Sequence, residues 1–175
     1  MPNKSSCSDR QITLAVKAED STSASPPDKL VNTISLYHSN DAINSLSFDT
    51  FIKQKHQFKK HQGVAALQLM KDQHRASGIR DTINLLEDEQ VSAVEGSVGN
   101  ISDVVEPVII SLTFRTSAGR TYGPYGGEEG TPFFISIDNG CNVDVGFFGR
   151  AGLILDAIGL QLSKHTRAQG RHDRW

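Results

Sequence analysis

The stretch Val108–Thr116 reads VIISLTFRT, which combines β-branched residues with apolar side chains at every second position. Ile110, Leu112 and Phe114 fall on one face of an extended chain, because successive side chains of a β-strand point to opposite faces. This period of two predicts a strand with one buried face. A turn predicted at residues 118–119 follows, so the chain is expected to fold back as a hairpin.

Similar short stretches lie on both sides of this strand and are separated by turn-forming residues. The pair Asn139-Gly140 is the strongest turn signal among them, because both residues tolerate the positive φ of a type I′ turn. Many short strands at regular spacing predict an all-β prism, sandwich or barrel. The further predicted strand segments are residues 30–36, 43–48, 83–85, 91–95, 133–137, 143–148 and 153–162.

One short pattern occurs three times in these segments. Ile43–Phe48 reads INSLSF, Ile109–Phe114 reads IISLTF, and Ala157–Leu162 reads AIGLQL. Three copies of one strand pattern suggest three related sheets. Buried strands can also share such a pattern by chance, and matches this short do not decide between the two interpretations.

The length of 175 residues suits one domain, or one small domain with tails. Its 18 basic and 20 acidic residues give a formal net charge of −2. A nearly neutral chain gives no general electrostatic reason to bind nucleic acid or an anionic membrane. No apolar run approaches the roughly 20 residues that span a bilayer, and the first residues lack the apolar core of a secretory signal.

Two cysteines, Cys7 and Cys141, lie far apart in the chain and predict no disulfide framework. Together with the scattered histidines they give no zinc-ligand spacing. We therefore expect a cytoplasmic or nucleocytoplasmic protein that has no metal, no cofactor, no nucleic-acid partner and no membrane partner.

The segment 53–75 differs in composition from the rest of the chain. Residues 53–61 form the one basic cluster, with four lysines and two histidines. A solvated loop or strand face is the favoured interpretation of this cluster, and phosphate or nucleic-acid binding is the alternative. Residues 63–75 are the only stretch with a helix-forming composition, and they predict a short amphipathic helix.

Four longer segments carry a resemblance to a known family. They are Glu95–Gly99, Val108–Thr116, Thr121–Phe133 and Gly146–Gly159. Together they resemble plant jacalin-related lectins of the mannose-binding type. The resemblance implies an all-β fold, a β-prism of three four-stranded antiparallel Greek-key sheets, with the lectin domain over residues 11–164. Residues 1–10 and 165–175 are then expected to form a disordered N-terminal tail and a C-terminal tail.

The predicted carbohydrate-binding residues are Gly152, Leu153, Ile154, Leu155 and Asp156. A glycine allows a ligand to approach the backbone, and a carboxylate accepts hydrogen bonds from vicinal sugar hydroxyls. The resemblance implies that the amides of Leu153 and Ile154 donate to the ring and 6-oxygens of a hexose, while Asp156 accepts from its 4- and 6-hydroxyls. From the spacing alone, a plain hairpin with a satisfied turn carboxylate is favoured, and the longer match reverses that preference.

The resemblance further implies a lectin that binds α-mannose- or α-glucose-type glycans without catalysis and forms a homo-oligomer, a dimer or a tetramer. One departure from the family pattern favours an alternative. The segment Val16–Ser23 stands where family members have a glycine-rich sugar-contacting loop, and it contains no glycine. The alternative is a degenerate domain that has lost sugar binding and serves as a protein-interaction module. The loop between Gly96 and Pro107 is expected to tune specificity, with Asn100 or Asp103 as candidates.

Two acidic clusters, Glu128-Glu129 and residues 87–89, resemble the paired carboxylates that glycoside hydrolases use. Adjacent residues on a strand face opposite ways and turn carboxylates are normally solvated, so we expect no catalysis. The run Gly123–Gly127 lacks the lysine and the following helix of a phosphate-binding loop, and we interpret it as a structural corner.

Overall fold

The computed structural model describes the backbone of residues 10–14, 23–24, 29–52, 78–137 and 143–164. Side chains are described for residues 30–50, 78–137 and 143–163. Within these ranges there is no helix that could cross a membrane. The predicted features that lie outside the described residues are both tails almost entirely, both cysteines, the segment 53–75, the turn at residues 139–140 and most of Val16–Ser23.

Eleven β-strands make up the regular structure of the described residues. In chain order they are β1 (Arg10–Leu14), β2 (Ser23–Ala24), β3 (Lys29–His38), β4 (Ile43–Ile52), β5 (Ile79–Asn84), β6 (Val91–Gly99), β7 (Val108–Thr116), β8 (Thr121–Gly126), β9 (Thr131–Ser136), β10 (Val143–Ala151) and β11 (Leu155–Lys164). All of their pairings are antiparallel, as the hairpin turns predict.

The strands form three sheets. The first has the order β1-β11-β10-β2, the second β4-β3-β5, and the third β8-β7-β6-β9. In the third sheet, β9 returns to the far edge beside β6, which is the Greek-key order. The prediction of four strands per sheet is confirmed for two sheets. The second sheet has three among the described residues, and residues 53–77, between β4 and β5, lie outside them.

The three copies of the short sequence pattern fall in β4, β7 and β11, so each sheet contains one of them. Leu46, Leu112 and Leu160 occupy the same position in the three copies, and they are 2%, 0% and 0% exposed. Each copy therefore contributes a leucine at the same position of the pattern to one shared core.

The core lies where the three sheets meet, and each sheet contributes a phenylalanine to it. Phe48 comes from β4, Phe114 from β7 and Phe147 from β10, and all three are buried. Phe48 stacks on Phe147 with ring centroids 4.3 Å apart, and Phe114 meets Phe147 edge-on at 6.3 Å. Such aromatic pairs contribute roughly 0.5–1.5 kcal/mol each beyond the area they bury.

An ion pair between a buried carboxylate and a part-exposed arginine joins the loop before β6 to the turn between β7 and β8. Glu89 is 4% exposed, and its carboxylate accepts a hydrogen bond from Arg120 Nε at 2.8 Å. The hydroxyl of Thr116 and the amide of Leu86 donate to the same carboxylate. The bond from Arg120 is the largest influence that lowers the pKa of Glu89 to about 2, against the opposing effect of burial. The prediction that this acidic turn is solvated is therefore wrong for Glu89.

Candidate functional site

The predicted sugar-binding residues lie at the hairpin between β10 and β11. The strand ladder ends where Ala151 pairs with Leu155, so residues 152–154 form the connection. The amide of Gly152 donates to the carbonyl of Ile154 at 3.1 Å, which closes the bend. We refer to residues 152–156 as the candidate hairpin.

The bend of the candidate hairpin faces solvent and presents unused donors. The side chain of Leu153 is 51% exposed. Within the described part of the chain, the amides of Leu153 and Ile154 donate no hydrogen bond. Leu155 is placed differently, because its side chain is 0% exposed and packs in the main core. Leu155 therefore anchors the hairpin and has no side-chain surface to offer a ligand.

The carboxylate of Asp156 lies beside this bend. Its side chain is 16% exposed, and Arg150 Nε lies 3.4 Å from Oδ2. The amide of Gly152, which donates to the carbonyl of Ile154, also favours the charged form of the Asp156 carboxylate. A Cβ atom added to Gly152 would lie 3.4 Å from Oδ2 and 3.8 Å from Oδ1, so the glycine leaves the space in front of the carboxylate open. The hairpin thus combines two free donors with one accessible acceptor group.

Opposing influences act on the charge of Asp156. Burial is the largest of them and raises the pKa of Asp156 above its ordinary value of 3.8, and the Glu106 carboxylate adds to the rise. The guanidinium of Arg150 and the Gly152 amide favour the charged form and oppose the shift. Asp156 is therefore an acceptor whose negative charge is only partly compensated inside the chain, which suits a ligand that brings hydroxyl donors.

The loop between β6 and β7, residues 100–107, adjoins the candidate hairpin. Ile154 packs beside a small buried cluster that also holds two residues of this loop. The members of the cluster are Ala42, Val108 and Ile110, with Ile101 and Val104 packed against them like Ile154. The cluster ties the hairpin to the loop, and Val105 at the loop's tip is 95% exposed.

The structure also shows where the predicted specificity residues lie. Asn100 and Asp103 are both exposed in the β6–β7 loop, and Asp103 has a φ of 71°. No described contact joins either of them to Asp156. Glu106 is the loop residue whose charge acts on Asp156, and the sequence analysis missed it together with Arg150. The sequence does contain a signal for Arg150, because it lies only two residues before Gly152 on the same predicted hairpin. A part-buried carboxylate such as Asp156 needs a cation or a hydrogen-bond donor close by.

The remaining candidates lie away from the hairpin or at its border. β2 pairs with β10 at Phe148 and Gly149, which places the end of the segment Val16–Ser23 beside the strand that leads to the hairpin. Glu128 and Glu129 are exposed in the connection between β8 and β9. Among the described residues, no group of three or more histidines, cysteines or acids could hold a metal ion.

Solved structures of jacalin-related lectins have the same architecture as this chain. A mannose-specific jacalin-related lectin from Morus nigra, solved in complex with mannose, aligns with a TM-score of 0.67 at 28% identity, covering 93% of this chain and 99% of that one. A mannose-binding jacalin-related lectin from Ananas comosus aligns with a TM-score of 0.65 at 27% identity, covering 90% of this chain and 99% of that one. The class that this fold defines is the β-prism of the jacalin-related lectins.

The family of the chain follows from its sequence. The profile of the jacalin-like lectin domain matches residues 17–161, so the chain belongs to that family. The agglutinin alpha chain of Artocarpus integer is 47% identical over 75 residues, which is 43% of this chain and 53% of that protein. Horcolin of Hordeum vulgare is 40% identical over 86 residues, which is 49% of this chain and 56% of that protein. The chain thus spans about half the length of these two curated relatives.

Proposed function

We propose that this chain is a lectin that binds α-mannose- or α-glucose-type glycans reversibly through the candidate hairpin, without catalysis. The observation that carries the proposal is the accessible Asp156 carboxylate, which lies beside a glycine and the unused amides of Leu153 and Ile154. The related lectins from Morus nigra and Ananas comosus are described as mannose-specific and mannose-binding, which supports the choice of sugar.

The chemistry of the hairpin suits a neutral polyol. The two free amides can donate to the ring oxygen and the 6-oxygen of a hexose, while Asp156 accepts from the 4- and 6-hydroxyls. Gly152 keeps the space between them clear. No step of bond breaking is assigned to the site, because the chain belongs to a family of lectins and its relatives are described as sugar-binding proteins.

Binding of a single sugar through these contacts is expected to be weak. Each neutral hydrogen bond contributes roughly 0.5–1.5 kcal/mol net, and bonds to a charged group about twice that. Useful avidity toward a cell surface or a glycoprotein therefore needs several sites at once. We propose that a homo-oligomer, a dimer or a tetramer, supplies them.

An isothermal titration with methyl α-mannoside tests the proposal. We expect saturable binding to the native chain and a loss of about 10- to 100-fold in affinity for Asp156→Asn, since the amide loses the charge of the acceptor. Asp49→Asn is the matched control, because Asp49 is an exposed acid on β4. Equal affinity of Asp156→Asn and the native chain would contradict the proposal.

The alternative function is a protein-interaction module that has lost sugar binding. The absence of glycine in Val16–Ser23 favours it, because side chains there stand where the family has a glycine-rich sugar-contacting loop. A glycan array separates the two functions. Signal on mannose-terminated glycans that disappears for Asp156→Ala supports the lectin, and a blank array with the folded native chain supports the interaction module.

A further inference from the structure

A shallow groove runs across the outer face of the third sheet and lies apart from the candidate hairpin. Its volume is about 760 Å³. Ser97, Ser111 and Thr113 of the two central strands line it, together with Pro124 on β8 and Phe134 on β9. The connection between β8 and β9 closes one end, where the Ser97 hydroxyl donates to the carbonyl of Glu129 at 2.6 Å. Such a space accommodates a small ligand or part of an extended one.

The bottom of the groove presents hydroxyl groups with defined roles. Ser97 gives its proton to Glu129, so the Ser111 hydroxyl, which lies 2.9 Å from Ser97, is the donor of that second bond. The oxygen of Ser111 therefore retains acceptor capacity for a ligand. Gly96, the neighbour of Ser97, allows close packing of the strands here, because a Cβ there would collide with the carbonyl of Ser111 and press on the ring of Phe133.

Thr113 adds a further hydroxyl group to the lining of the groove. Its side chain lines the groove although the residue is only 8% exposed. Within the described part of the chain its hydroxyl forms no hydrogen bond. Its oxygen is not among the fully buried side-chain atoms that lack a partner, so the hydroxyl opens onto the groove. The hydroxyl of Thr113 can both donate and accept, so it matches the hydroxyl of another molecule.

The walls of the groove add an apolar surface. Phe134 is 61% exposed, which is unusual for a large aromatic side chain on a folded domain. Phe133 is half-buried beside it and also lines the groove. A flat aromatic ring next to hydroxyl acceptors and donors suits a ligand with one apolar C–H face and several hydroxyls, which describes a pyranose ring.

The charges around the groove favour a neutral ligand. Among the described residues that line it there is no lysine, arginine or histidine to serve as the counter-charge of an anionic ligand. Glu95 lines the groove but is paired with Arg115 at 2.7 Å, which leaves Glu128 as the uncompensated acid of the lining. A single solvated acid gives a cationic ligand little advantage.

We propose that this groove is a second carbohydrate site, which binds a neutral hexose or short oligosaccharide through Thr113 and Ser111 against the ring of Phe134. The groove uses none of the residues of the candidate hairpin. Sugar binding in the groove therefore does not depend on sugar binding at the hairpin, and the two can succeed or fail separately.

Amide chemical-shift titration of the full-length chain tests this site. The probes are methyl α-mannoside, methyl β-galactoside, maltotriose and N,N′-diacetylchitobiose, each added to the native chain and to Asp156→Ala, which removes the acceptor of the hairpin. We expect at least one probe to give saturable shifts at the amides of residues 111–113 and 134 in both proteins. Shifts confined to residues 152–156 of the native chain would overturn the second site while supporting the hairpin.

Two variants and a control sharpen the test. Thr113→Val keeps the shape of the side chain but removes its hydroxyl, and we expect a loss of about twofold to tenfold in groove affinity. Phe134→Ser should abolish the groove shifts, and its exposure makes the fold tolerant of this change. Thr121→Val, an exposed threonine on β8 outside the groove, should leave the affinity unchanged. Equal affinities in all variants, or shifts with tetralysine and none with the sugars, would overturn the proposal.

Discussion

The Glu89–Arg120 pair and the Asp156–Arg150 pair both join a carboxylate to an arginine, but they differ in how completely the carboxylate is hydrogen-bonded within the chain. Glu89, in the loop before β6, is surrounded by donors from Arg120, Thr116 and Leu86, and its pKa falls to about 2. Asp156, at the candidate hairpin, has a single arginine at 3.4 Å and a raised pKa. A carboxylate whose bonding capacity is filled within the chain stabilises the fold. One that is part-buried and incompletely satisfied is available to a ligand.

The largest expected effect is on stability and comes from breaking the ion pair between Glu89 and Arg120. Glu89→Gln removes the charge that Arg120 faces and weakens the bonds from Thr116 and Leu86. The Arg120 side chain is 38% exposed and stays solvated when its partner is removed, so the cost comes from the weakened hydrogen bonds to a charged acceptor, and we expect a loss of about 2 kcal/mol in the free energy of unfolding. Urea denaturation measures it. Glu95→Gln, which breaks the exposed pair with Arg115, is the control and should cost at most about 1 kcal/mol.

The two carboxylates should be protonated in different pH ranges when the protein is acidified. Because the pKa of Asp156 is raised, its charged form is lost on acidification before that of an ordinary aspartate, and sugar affinity should then fall about tenfold per pH unit. The stabilisation from Glu89 is complete above its unfolded pKa of 4.5 and is lost only as the pH falls toward about 2.

Sugar binding should therefore fail while the chain is still folded. Calorimetric titration with methyl α-mannoside at decreasing pH, with circular dichroism on the same samples, measures both properties. An affinity that stays constant until the chain unfolds would contradict the roles assigned to the two acids.

A smaller effect is expected from Arg150. Arg150→Met removes the cation that orients the Asp156 carboxylate and opposes the rise of its pKa, so affinity for methyl α-mannoside should fall roughly threefold to tenfold at neutral pH. The pH at which binding is lost should also move upward, which a purely structural role would not cause. Arg115→Met, at an exposed arginine on β7, is the matched control. An unchanged pH profile for Arg150→Met would show that Arg150 does not position Asp156.

Sequence reasoning succeeded where a local pattern decides the structure. The alternation around Leu112 and Phe114 predicts β7 correctly, because both side chains lie in the main core. The expectation of one buried face is wrong at the start of the strand, where Ile109 is also fully buried beside the register shift between Ser97 and Val98.

The turn at Gly119 is likewise local, since its φ of 77° is a conformation that glycine adopts readily. The bend at residues 152–154 is local in the same way, because Gly152 lies between two predicted strands, although the second strand begins at Leu155 and not at the predicted Leu153. The role of this hairpin in sugar binding stays a prediction.

The features that the sequence analysis missed depend on contacts between distant segments. Glu89 lies in an acidic turn that looks solvated, and its partner Arg120 is 31 residues away. The burial of Leu155 inside a predicted binding segment follows from the direction of the strand, which the motif does not reveal. Glu106 affects Asp156 only because the β6–β7 loop packs beside the hairpin, and no spacing in the sequence encodes that approach.

A crystal of the chain soaked in methyl α-mannoside tests the central claim most directly. We expect a hexose at the bend between β10 and β11, with its 4- and 6-hydroxyls donating to the Asp156 carboxylate and the amides of Leu153 and Ile154 donating to its oxygens. A well-ordered hairpin that holds no sugar under these conditions, while the sugar is visible elsewhere on the chain, would contradict the account.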